Sequence, residues 1–80
     1  MRLDILTTNE NGTFVATCPK LPGCTTRGET LQETLDKHAQ AIWGYLAAAT
    51  NFLPERLELH VGGEMILSTP PETGPQRLSA

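Results

Sequence analysis

Basic residues are scarce in this 80-residue chain, and it has no long hydrophobic run. Six lysines and arginines stand against nine aspartates and glutamates, which gives a net charge of -3. Clustered Lys and Arg side chains supply most of a protein's affinity for nucleic acid at physiological salt, so this scattered set disfavours binding to a phosphate backbone. No apolar run approaches the roughly 20 residues that span a bilayer, and residues 1–4 do not resemble a secretory signal. We therefore expect a soluble, cytoplasmic protein that does not contact a membrane.

Cysteine is also rare, since only Cys18 and Cys24 are present. A structural zinc site needs four ligands at close spacings, and a disulfide is disfavoured in a reducing cytoplasm. We therefore interpret both residues as small buried thiols. The sequence has no Gly-X-Ser-X-Gly, no phosphate-binding glycine loop and no His-Glu-X-X-His, which are motifs of common catalytic sites. We expect no catalytic residue, no metal, no cofactor and no enzymatic activity.

The two histidines are predicted to be structural or surface residues. His38 lies beside the apolar stripe of the predicted helix, where one ring nitrogen can bind a partner while the carbon edge packs. His60 alternates with Leu59 and Val61 and should leave the face that they share, towards solvent or an interface. Neither has a recognisable nucleophile to activate.

Alternating residues predict strands at 3–8 and 13–18, joined by a turn at 9–12 that contains an Asn-Gly pair. A Pro-Gly bend leads to a short third strand at 24–27. Thr30 and Glu33 have the spacing of a capping box and predict a helix start. Within the helix, one apolar stripe is formed by Leu31, Leu35, Ala39, Ile42, Leu46 and Ala49.

After the helix, alternation at 57–61 predicts a fourth strand, and Gly62-Gly63 is a hairpin signal. Residues 64–68 have the pattern of a short fifth strand, which either turns back on the fourth or pairs across an oligomer interface. The expected class is α+β: a three-stranded antiparallel sheet, one long helix on one face and a fourth strand after it. We expect one domain at 1–69 and, because 70–80 contains three prolines and a glycine, a disordered tail.

A chain of this size has a marginal core. We therefore expect a homo-oligomer, either a dimer or a tetramer.

The run Pro19-Lys20-Leu21-Pro22-Gly23-Cys24, followed by Gly28-Glu29-Thr30-Leu31-Gln32-Glu33, resembles the hallmark of the HicB-like antitoxin family. Thr34 departs from it, since the family usually has Ala there. The resemblance implies a β-β-β-α-β fold like a truncated ribonuclease H, and an antitoxin that sterically covers the catalytic histidine and RNA surface of a small basic messenger-RNA ribonuclease, a HicA-like toxin. Many members add a C-terminal DNA-binding module. Only 13 residues remain from Ser68, so we expect no direct DNA binding.

Two other functions stay open. One is an orphan module that binds another protein or a small ligand. The other is a residual metal-dependent nuclease built on Asp4 with help from Glu29, Glu33 or Asp36, although the helix acids are predicted to face away. Expected exposure selects five residues for partner contact: Lys20, Leu21, Arg27, Trp43 and His60. Trp43 lies on the flank of the predicted helix, where it either is incompletely buried and anchors an interface or completes the small core.

Overall fold

The computed structural model describes residues 1–50 and 53–71. Its elements follow in the order β1 (Arg2–Glu10), β2 (Thr13–Thr17), β3 (Thr25–Gly28), α1 (Leu31–Ala49), β4 (Leu57–Val61) and β5 (Glu64–Ser68). The predicted α+β class is confirmed, and β5 turns back on β4 within the chain. Of the tail predicted to be disordered, residues 72–80 lie outside the described part. In that described part, no helix has the length and apolar character needed to cross a membrane.

The five strands form one mixed sheet in the order β3-β2-β1-β4-β5. Pairing is antiparallel except between the central strand β1 and β4, where Leu3 lies opposite Leu59 and Ile5 opposite Val61. The parallel pair follows from the connection, because α1 carries the chain back over the sheet before β4 begins. The sheet thus has a helix face, covered by α1, and an open face on its other side.

The first hairpin turns more tightly than the sequence predicted. Asn11 and Gly12 have φ of 56° and 91°, as a two-residue type I′ turn requires. The predicted four-residue turn is therefore wrong, and β1 continues to Glu10. The Asn9 side chain accepts a hydrogen bond of 2.9 Å from the Gly12 N–H, which fastens the turn.

The predicted helix start at Thr30 is confirmed. Its hydroxyl accepts from the Glu33 N–H at 3.0 Å, and the Glu33 carboxylate accepts from the Glu29 N–H at 2.9 Å. Gly28, the last residue of β3, lies directly beneath Thr34. A Cβ at position 28 would meet the Thr34 hydroxyl and would lie 3.1 Å from the Thr34 backbone nitrogen.

The buried face of α1 is rotated from the predicted stripe. Ile42 and Leu46 are buried as expected, but Leu31 and Ala49 are exposed. The helix start packs on β3 through Thr34 and not through Leu31, and the last turn of the helix, residues 47–49, is exposed. The buried helix residues are Thr34, His38, Ile42, Trp43 and Leu46.

We predict that Gly28→Ala lowers the free energy of unfolding by about 1–3 kcal/mol, because the added methyl group forces the helix start away from β3. Gly63→Ala is the matched control, since nothing lies within 4 Å of a Cβ there, and it should change stability by less than about 0.5 kcal/mol. Urea denaturation measures both. Equal stability of the two variants would contradict the close approach.

Candidate functional site: a groove between the helix and the C-terminal hairpin

One helix is too narrow for the sheet beneath it. Five strands span about 19 Å, because neighbouring strands lie about 4.8 Å apart, while an α-helix with its side chains is about 10 Å across. The helix packs closest to β3 and β2. The helix face of β4 and β5 is therefore left with a groove beside α1.

This groove encloses about 440 Å³. Its lining is mainly aliphatic and aromatic, with Leu59 and Val61 of β4 on its floor. Asp36 lies at the groove on the helix side, where its carboxylate accepts a hydrogen bond of 3.1 Å from the Gln32 amide. Other lining residues include Ile5, Leu35, His38, Ala39, Gln40, Trp43, Ile66, Leu67, Ser68 and Pro71.

Trp43 joins the two walls of the groove. Its indole N–H donates to the Ser68 hydroxyl at 3.0 Å, and the residue is only 4% exposed. The alternative that Trp43 completes the core is therefore confirmed, and its selection as an incompletely buried residue is wrong. The physical reason is β5, which passes close enough to cover the ring and to supply the hydrogen-bond acceptor that a buried indole needs.

His38 occupies the opposite flank of the buried helix face. Its Nδ1 lies 3.0 Å from the Thr26 hydroxyl on β3, as expected for a structural histidine. The residue is 1% exposed, and burial lowers the pKa of the imidazole. Its Nε2 is buried without a hydrogen-bond partner among the described residues. A neutral ring with one unused nitrogen thus lines the groove.

The loop between β2 and β3 holds two of the predicted contact residues. Lys20 is exposed, whereas Leu21 is half-buried against the core. The Leu21 N–H donates to the Cys18 carbonyl at 3.0 Å, and the Leu21 carbonyl accepts from the Cys24 N–H at 2.9 Å. Both cysteines are buried thiols without a disulfide, and burial raises the pKa of Cys24.

Arg27 and His60 lie on the open face, where β2 and β1 separate them. A Glu10 oxygen lies 3.5 Å from the Arg27 guanidinium, and a Glu58 oxygen lies 3.6 Å from the His60 ring. The five predicted contact residues are thus spread over a loop, the open face and the groove. Only Trp43 belongs to the groove.

Asp4 also lies on the open face, where Arg2 is 3.7 Å away. Glu33 and Asp36 belong to α1 on the other side of the sheet, so the carboxylates proposed for a nuclease do not converge. Among residues 1–50 and 53–71, no three His, Cys, Asp or Glu side chains are placed to hold a metal ion.

Sequence reasoning missed the groove because it did not fix the strand order. Ile66 and Ser68 become groove residues only when β5 pairs with β4 and β4 lies beside β1. The available signal was the number of strands, since five strands exceed what one helix covers.

Part of the chain is similar to a UPF0150 protein of Thermoplasma acidophilum. The two sequences are 43% identical over 42 residues, which make up 52% of this chain and 61% of that protein. The chain therefore spans less than two thirds of that relative's length. No protein-family profile and no solved structure matches the chain.

We predict that His38 makes the protein less stable as the pH falls below about 6.5. Because its pKa is lowered in the folded state, the unfolded chain binds a proton between that lowered value and about 6.5 that the folded chain does not. The free energy of unfolding, measured by urea denaturation, should rise with pH through this window by at most about 1.4 kcal/mol per pH unit.

His38→Gln should flatten this part of the profile. Glu33 acts in a separate window. The hydrogen bond from the Glu29 N–H and the charge of Lys37 lower the pKa of its carboxyl from the ordinary value of 4.5. The ionised carboxylate therefore stabilises the folded state above that pH, and this stabilisation is lost as the pH falls further. An unchanged slope near pH 6 in His38→Gln would contradict the role of His38.

Proposed function

We propose that this protein is a HicB-like antitoxin, which binds a small basic messenger-RNA ribonuclease and neutralises it by covering its active surface. The family link rests on the hallmark segment and on the partial similarity to a UPF0150 protein, whose family is related to HicB-like toxin–antitoxin proteins. The chain's own part in this activity is to present a rigid surface of fixed shape.

The hallmark segment folded as one unit is the observation that carries the proposal. The Pro-Gly loop is closed by the Cys24 N–H bond to the Leu21 carbonyl at 2.9 Å. Gly28 lets the helix start pack directly on β3, and Thr30 caps that helix. Leu21, Cys24, Gly28 and Thr30 of the hallmark thus each have a structural task here, which supports the family resemblance rather than a chance match of letters.

The groove supports a protein partner better than the open face does. It is concave and mainly apolar, with Asp36 on the helix side, so it suits an apolar side chain flanked by a basic residue. A basic toxin supplies such residues. The open face instead carries side-chain ion pairs, such as Arg27 with Glu10, which binding would have to desolvate.

A small-ligand module is the second candidate, and one observation favours it. The groove volume of about 440 Å³ falls within the range of about 300–1,000 Å³ of small-molecule sites. A toxin and a small ligand would occupy the same lining, so binding of the toxin by the unmodified chain, and not the effect of a groove variant, separates the two functions.

We predict that Ala39→Arg, which fills the groove and adds a positive charge, weakens toxin binding by about tenfold or more. Ala41→Arg adds the same side chain at an exposed position of α1 that does not line the groove, and it should bind like the unmodified chain. The toxin to be tested is the product of a short basic reading frame next to the gene, and the presence of such a frame would itself support the antitoxin function. Isothermal titration measures its affinity, and co-expression measures whether each variant relieves growth arrest.

Failure of the unmodified chain to bind or inhibit that toxin would refute the antitoxin function. Equal binding by the two arginine variants would instead refute the groove as the contact site. Circular dichroism and urea denaturation of both variants establish that each is folded before binding is compared.

We further predict that this chain alone does not bind its promoter DNA tightly. Its net charge is -3, and carboxylates lie within 4 Å of three basic side chains, those of Arg2, Arg27 and Lys37. Few cations therefore remain to replace the counterions of a duplex. A gel shift with the upstream promoter should show no salt-sensitive complex, and a tight one would contradict the prediction.

A further inference from the structure

The two edges of the sheet differ in their chemistry. At one edge, β3 is four residues long and contains Thr25, Thr26 and charged Arg27, which is how natural proteins discourage strand pairing. At the other edge, β5 exposes three consecutive apolar residues, Met65 by 50%, Ile66 by 38% and Leu67 by 55%. It has one charge, Glu64, and neither lysine nor proline. The β5 edge therefore lacks the usual protection.

The backbone of β5 also offers hydrogen bonds at this edge. The two-residue turn at Gly62 and Gly63 makes Val61 and Glu64 a hydrogen-bonded pair, and bonded and non-bonded pairs alternate along an antiparallel ladder. Ile66, opposite Leu59, is thus bonded to β4. Met65 and Leu67 direct their N–H and C=O groups away from β4, along the free edge.

We propose that the chain forms a homodimer in which β5 pairs antiparallel with β5 of a second copy, so that two sheets become one continuous sheet. The occupant of the edge is a second copy because the strand complements itself. A two-fold axis at Ile66 places Met65 opposite the partner's Leu67, so each exchanges both backbone hydrogen bonds with its counterpart.

In this register, side chains of compatible chemistry also lie opposite each other. On the open face, the two copies of Met65 and Leu67 form one apolar cluster. On the helix face, Ile66 meets its own copy, and Glu64 lies opposite the partner's Ser68, so the two glutamates are not opposed. A register shifted by one pair would place Glu64 opposite apolar Ile66, or would extend pairing to Pro70, which has no N–H to donate.

The interface also bears on the groove, because Ile66 lines it. Pairing at Ile66 would bring two grooves together on the helix face of one sheet. The dimer does not depend on the toxin, so it stands or falls separately from the antitoxin function.

Two double variants with the same positions and the same number of charges test the register. Met65→Lys with Leu67→Lys places like charges opposite each other across the two-fold axis, which should weaken the dimer by about tenfold or more. Met65→Lys with Leu67→Glu places opposite charges there and should keep it. Analytical ultracentrifugation of the full chain over a range of concentrations gives the dimer dissociation constant.

Leu6→Lys is a further control, because Leu6 is 60% exposed on the open face but lies on the central strand. Leu6→Lys should leave the dimer intact. Loss of the dimer in this variant would show that the two copies stack through their open faces, and it would overturn edge pairing. A monomeric unmodified chain would also overturn the proposal. If the chain were monomeric and the Lys/Lys variant lost toxin binding, β5 would be a contact site for the toxin and not for a second copy. Equal dissociation constants of the two double variants would refute the register.

Discussion

A single helix covering five strands is the constraint on which the rest of this structure depends. The sheet is about twice as wide as the helix, and α1 packs closest to β3 and β2. The helix therefore covers the sheet closely only on the side of β3 and β2. The other side is left with a groove above β4 and with the exposed edge of β5. The groove arises from this mismatch in width, and the β5 edge lies beside it on the same side of the sheet.

Two side-chain hydrogen bonds hold the helix in this off-centre position. His38 bonds to Thr26 on β3, and Trp43 bonds to Ser68 on β5, so the helix is tied to both edge strands of the sheet. Apolar packing alone is tolerant of rotation, whereas buried polar groups penalise any arrangement that leaves them unpaired. A helix turned about its axis would break one of these bonds. The polar pairs therefore fix the groove's shape.

The local features of the fold were predictable because their causes are local. Thr30 and Glu33 act within one helical turn, and alternation placed β4 at the correct residues. The buried helix face was not predictable to the same degree. Thr34 and His38 are inside because β3 lies beside them, and Trp43 is inside because β5 returns over it. Each of these depends on strand order, which neither propensity nor periodicity specifies. The five contact residues chosen by expected exposure were therefore scattered over three places.

The alternation of β5 divides two tasks between neighbouring residues. Ile66 and Ser68 point to the helix face, where they line the groove, while Met65 and Leu67 expose their side chains on the open face and their backbone groups at the edge. Polar residues at positions 65 and 67 would protect the edge without changing Ile66, so the groove does not explain why Met65 and Leu67 are apolar. A second copy on the edge does explain it, because it buries both side chains and leaves the groove open on the helix face. An apolar edge strand is then compatible with a protein that must stay free of aggregation while offering a binding surface.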